Sequence, residues 1–153
     1  MLMSDAQLRE EVLDFFASQF GVAEAELHDL EISERREDIW AVSALPPPGI
    51  ASRRLPGLRI LRRTPNGLKP TSAFLIHLGQ RITTARVNLT TDTLEALLLG
   101  RRIENSRPDG FVALCYGVDV IGCGRVSRGL LQTMIPTGRR RELLSALSET
   151  SDG

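Results

Sequence analysis

Residues 111–126 read FVALCYGVDVIGCGRV, and two strands are written in them. Phe111 to Tyr116 and Val118 to Val126 are apolar, β-favouring runs joined at Gly117, and Leu130 to Ile135 offers a further strand after the Gly129 turn. The second half of the chain is therefore mostly β. Pro136 and Gly138 end that pattern. Arg139, Arg140 and Arg141 follow at once, leading into Leu143, Leu144 and Leu147 at helical spacing.

Upstream of this block, Lys69 to Gly79 predicts a helix of about two turns that starts at Pro70 or Thr71, carries Phe74 and Leu78 on one face and stops at Gly79. Arg86 to Leu89 reads as a strand, and Thr90 or Thr91 caps a helix with Leu94, Leu97 and Leu98 that Gly100 closes. At the start of the chain, Ser4 and Gln7 stand at capping-box spacing before Leu8, Val12, Phe15 and Phe16, and Gly21 is the stop signal. Leu30 to Ile32 and Ile39 to Val42 predict a hairpin around the charged turn Glu34 to Asp38. Ala44 to Ile50, with Pro46, Pro47, Pro48 and Gly49, cannot lie inside a regular element and reads as a loop or linker. Gly57 to Arg63 can be a strand, followed by a turn at Thr64-Pro65-Asn66-Gly67. The fold class predicted is α+β: an N-terminal helix-plus-hairpin subdomain over 1–65, a mixed β domain over 66–147 and a disordered tail over 148–153.

The 153 residues are 42% hydrophobic and 25% charged, as in ordinary globular domains. A net charge of zero conceals a division. Met1 to Asp38 carries three arginines against eleven carboxylates, a net −8, while Ile39 to Arg141 carries sixteen basic residues against five acids, a net +11. All the basic residues but Lys69 are arginines, whose planar fork matches phosphate. A basic stretch of this length points to a polyanion partner. With aromatics at 5%, phosphate contact rather than base stacking has to carry the affinity.

Catalytic signals are few. His28 and His77 are the only histidines, and no motif joins either to a Ser or Cys nucleophile. Gly122-Cys123-Gly124 follows a strand without opening a helix and has no third glycine in register, so it reads as a place where another segment approaches a bulged strand closely. Cys115 and Cys123 have no His, Asp or Glu cluster at metal-ligand spacing and read as small buried hydrophobes in a reducing compartment. The expectation is a cytoplasmic protein, without a membrane span, without catalytic residues and without a metal or other cofactor.

From Lys69 onward the order of elements carries particular residues: Lys69-Pro70-Thr71 opening a helix, His77-Leu78-Gly79 closing it, Val87 and Leu89 in a basic strand, the Gly100 stop and Gly110-Phe111-Val112 opening a strand. Ile121 to Gly124, Gly129-Leu130 and Ile135-Pro136 before the arginines complete the set. This resembles the PUA-like domain at the C-terminus of RsmF/Sun-type RNA (cytosine-5) methyltransferases. Phe20-Gly21, Ile39 to Ser43 and Gly57 to Arg59 are similar to the segment preceding that domain, and the whole is similar to small ribosome-biogenesis factors built of a pre-PUA and a PUA domain. The S-adenosylmethionine-binding core and the Pro-Cys catalytic motif are absent, since Cys115 follows Leu114 and Cys123 follows Gly122. The resemblance implies a mixed β pseudo-barrel with short helices that holds structured RNA, rRNA or tRNA, through shape and backbone contacts, in RNA modification or ribosome biogenesis.

It also implies an RNA-facing surface made of the start and end of the short helix, the last strand and the arginine-rich segment after it. That selects Lys69, Thr71, Arg81, Arg86, Arg125, Arg128, Arg139, Arg140 and Arg141, with the Gly122 to Gly124 backbone as a hydrogen-bonding partner. Arg53, Arg54, Arg62 and Arg63 form a second basic cluster beside the prolines. The alternative is a protein-interaction adaptor, in which Glu10, Glu11, Asp14, Glu24, Glu26 and Asp29 dock on a basic ribosomal protein or a separately encoded RNA methyltransferase.

Overall fold

The computed structural model describes residues 3–43 and 57–151. The proline-rich connection, with Arg53 and Arg54, lies outside the described residues. Helix α1 (Asp5–Phe20) begins with the reciprocal Ser4–Gln7 capping box and ends at Gly21, whose φ of 61° is the left-handed cap expected of a glycine. Its buried face, Leu8, Val12, Leu13, Phe16 and Phe20, repeats at helical spacing. A 3₁₀ turn at Glu24–Leu27 follows, and Arg9 ties it to α1 by donating to the carbonyls of Leu27, His28 and Leu30.

Four antiparallel strands, β1 (Leu30–Arg35), β2 (Asp38–Ser43), β3 (Leu58–Thr64) and β4 (Gly67–Pro70), form the first sheet in the order 1-2-3-4. Strand β4 is not predicted by the sequence. Lys69 and Pro70 belong to this edge strand rather than opening the next helix, and an edge tolerates the missing N–H of proline. Strand β3 is irregular. Asp38, Ile39 and Trp40 pair with Arg62, Leu61 and Arg59, so Ile60 is an extra residue without a partner on β2. The bulge lets Ile60 and Leu61 both be buried, and puts Arg59 and Arg62 on the same face although they are three residues apart.

Helix α2 (Ser72–Leu78) is capped by Thr71, whose hydroxyl accepts from the Phe74 N–H. Then come β5 (Arg86–Asn88), α3 (Thr91–Leu98), β6 (Ile103–Glu104), β7 (Gly110–Tyr116), β8 (Asp119–Ser127), β9 (Leu130–Thr133) and α4 (Thr137–Ser151). The five strands form a mixed sheet in the order 5-7-8-9-6, with β5 parallel to β7 and the other pairs antiparallel, curled as a half-barrel. The fold is thus α+β. Helix α4 is longer than the sequence implied: Gly138 and the three arginines lie in its first turns, and residues 148–151 are helical where a disordered tail was expected. Half-buried Arg140, Leu143, Leu144 and Leu147 recur at helical spacing, and the three leucines pack against the α3 core.

Two cores hold the layers together. Residues of one face of the curled sheet, Ala113, Cys115, Val120 and Cys123, join α1, α2, β2 and β3; residues of its other face, Val112, Leu114, Val126 and Leu131, join α3. Burial on both faces explains why β7 and β8 read as continuous apolar runs rather than alternating ones. The predicted boundary at 65/66 falls in the turn of the β3–β4 hairpin, and the first core draws on residues from both sides of it.

Candidate nucleic-acid interface

Where the first sheet meets the N-termini of α2 and α4, a cleft of about 450 Å³ opens. The register across the sheet builds its cationic rim. Asp38 of β2, Arg62 of β3 and Lys69 of β4 stand opposite one another in a row, and the β3 bulge brings Arg59 to the same face. Arg139, in the first turn of α4, closes the rim from the other side. The floor is apolar, with Pro70, Ile76, Ile121, Met134 and Pro136, and no carboxylate is among the lining residues. Placing Arg62 opposite Lys69 sets like charges side by side, which costs stability.

Two further clefts continue the surface. Lys69 and Met134 also line a second one with Thr64, Asn66, Asp109, Phe111 and Arg125. Arg125 in turn lines a third with Arg102, Arg128, Ser127 and Gln132. Arg125 lies opposite Phe111 and Gln132 in the sheet, its guanidinium 5.8 Å from the Phe111 ring centroid. Arg128 occupies the two-residue turn between β8 and β9 with φ 52°, beside Gly129 at φ 79°. Such a turn favours Asn-Gly, so an arginine there is conformationally unfavourable; its N–H is held by the Asp109 carboxylate at 2.9 Å.

Of the predicted residues, Lys69, Thr71, Arg125, Arg128 and Arg139 meet on this surface. The others do not gather there. Arg81 donates to the carbonyls of His77 and Leu78 and lines a different cleft, and Arg86 donates to those of Gly79 and Ile82. Successive residues of α4 point about 100° apart, so the arginine triplet splits. Arg140 joins the packing stripe and bonds Thr137, with its Nε buried and unpartnered, while Arg141 is exposed without a place in these clefts. Thr71 spends its hydroxyl on the helix cap and the Arg59 carbonyl. Gly122 to Gly124 is a correction: a Cβ on Gly122 would meet Ile135 Cγ1 at 2.4 Å, and the Cys123 N–H donates to Ser72, so the chain itself occupies this backbone. Arg63 likewise belongs to the structure, bound to Glu11 and Glu34.

Arg59 and Arg102 are not predicted by the sequence. No alternation rule reports a bulge, and Arg102 sits in a loop without a motif. Cys115 and Cys123 are buried, as expected; burial raises both thiols, Cys123 to about 12. Tyr116 meets the Thr91 hydroxyl at 2.8 Å. Among the described residues no His, Cys, Asp and Glu cluster suits a metal, and no helix is long and apolar enough to cross a membrane.

On the other side of α2, a cleft of about 480 Å³ gathers His77 with Glu26, Asp29 and Ser43 among mostly apolar residues. These are the residue types of a hydrolytic relay. The His77 ring, however, stacks on Phe74 at 5.9 Å, and among the described residues no hydrogen bond joins it to a carboxylate or hydroxyl. Comparison of the chain with known protein families and with characterised proteins returns no match.

Proposed function

We propose that this is a non-catalytic RNA-binding protein that recognises structured RNA, rRNA or tRNA, in RNA modification or ribosome biogenesis. The observation that carries the reading is the cationic track: three clefts joined through Lys69, Met134 and Arg125, with Arg59, Arg62, Arg139, Arg102 and Arg128 along them. Phosphate pairing is what a row of arginine forks does well, and the resemblance to PUA-like domains of RNA methyltransferases supports the same partner. Chemistry on the RNA then belongs to another protein.

Fluorescence anisotropy with a labelled RNA hairpin across a salt series tests this. With about five phosphates contacted, the log–log slope of affinity against salt is expected near −4. No binding in low salt, or binding indifferent to salt, would overturn the reading. The adaptor alternative has its own observation, a shallow cleft on α1 lined by Glu10, Asp14 and Glu24. Pull-down with and without ribonuclease separates the two, because contacts of an adaptor with a basic protein survive digestion.

A further inference from the structure

Three of the four cations on the rim of the first cleft already face a carboxylate of their own chain. Arg59 Nη1 lies 3.8 Å from Asp38, Arg62 Nη2 3.3 Å from Glu37, and Arg139 Nη1 2.7 Å from Glu142. Backbone register places them: Asp38 is directly opposite Arg62, Glu37 precedes it at the β1–β2 turn, and Glu142 is one helical turn beyond Arg139. The Arg62–Glu37 and Arg139–Glu142 pairs are more than half exposed on both sides, so they add little to the fold. Their proximity to the cleft gives them another consequence.

We propose that Glu37, Asp38 and Glu142 are built-in counter-ions of the cleft, which compete with phosphate for its arginines and so restrain unselective binding of polyanions. This rests on the RNA-binding reading and deepens it to a means of control at the same site. A phosphate arriving at Arg62 or Arg139 meets a cation already neutralised by a tethered carboxylate. It must displace that group or share the cation with it. A tethered carboxylate, unlike a condensed ion, is not released into solution, so fewer ions are freed per contact and the gain from dilution of salt is smaller. A lone phosphate therefore gains little. A ligand that reaches Lys69, which has no ion-pair partner among the described residues, and the neighbouring clefts together gains enough to displace the carboxylates. The acidic N-terminal quarter thereby acts on the basic remainder, with Glu37 and Asp38 reaching across the first sheet.

The test is the variant Glu37→Gln/Glu142→Gln, at two positions with side chains 69% and 67% exposed, measured against a labelled uridine oligonucleotide and an RNA hairpin over a salt series. A second variant with the same change in net charge, Glu31→Gln/Glu95→Gln, stands at exposed positions away from the cleft lining. The cleft variant is expected to bind both probes about 3- to 10-fold more tightly in low salt, with a log–log slope steeper by about 1. Unchanged or weaker binding overturns the inference and leaves the RNA reading in place. Equal tightening in the control variant also overturns it, since net charge would then suffice. Absence of binding by the wild type and both variants sinks the RNA reading and the inference together. Thermal melts verify folding, and Glu142→Gln alone, on the surface of α4, serves if the pair of changes unsettles the sheet.

Discussion

Arg63 shows how one residue in a basic run can be bound into the structure while its neighbour Arg62 lines the candidate cleft. Beyond the β3 bulge it points away from Arg62, and it donates to Glu11 of α1 at 2.6 Å and Glu34 of β1 at 2.7 Å. The hydrogen bond from Arg63 holds the Glu11 carboxyl below its usual range. A depressed pKa in the folded state gives stability that is present above the unfolded value, near pH 4.5, and is lost as pH falls through the folded value. Wild-type protein should thus lose stability on acidification through that window, and Glu11→Gln should flatten this part of the profile in urea melts at stepped pH. Arg128 makes the opposite case. Arg128→Asn relieves an arginine held at positive φ and is expected to raise stability by about 0.5–1 kcal/mol while lowering RNA affinity. A variant that loses both stability and affinity would show that the arginine is structural. Gly122→Ala drives a methyl into Ile135, and overpacking of this kind costs about 1–3 kcal/mol, readable as a lower urea midpoint.

The elements were legible wherever local chemistry decides them. The capping box at Ser4, the Thr71 and Thr90 caps and the Gly21 and Gly79 stops bound α1, α2 and α3 as the sequence predicts. The β7–β8 hairpin stood out by its apolar length. What escaped was set by partners distant in sequence. Strand β4 is four residues long and contains a proline, and it exists because β3 offers it an edge. Helix α4 carries Gly138 near its start and few apolar residues, and its leucines gain burial against the core that α3 shares with the curled sheet. The same limit applied to the candidate site: the resemblance selected Lys69 and Arg139, whereas Arg59 depended on an extra residue in a strand. Replacing Leu144 and Leu147 by serine is expected to release α4 alone. Hydrogen exchange should then show lost protection in residues 140–151 with β7 and β8 still protected, and RNA binding should weaken as Arg139 leaves the cleft.

At the scale of the molecule, the two subdomains predicted from the order of elements share residues of one core. Phe16 and Phe74, on opposite sides of the 65/66 boundary, pack with ring centroids 5.1 Å apart. Chemical denaturation of the whole chain should accordingly be a single transition, coincident by fluorescence and circular dichroism. A fragment beginning at residue 66 should fail to fold, because it lacks β3 and the α1 side of that core. The curled sheet carries one last consequence. With α1 and α2 over one face and α3 and α4 over the other, much of both faces is interior, and Phe111, Ile121, Arg125 and Gln132 are among the sheet residues left to line the clefts. On the RNA-binding reading, a ligand meets the rims of the clefts, strand positions such as Arg62 and Arg125, the β8–β9 turn at Arg128 and the start of α4 at Arg139, all of them outside the two cores. Recognition can therefore drift from one target to another over evolutionary time through changes at these margins, while the sheet that carries them stays as it is.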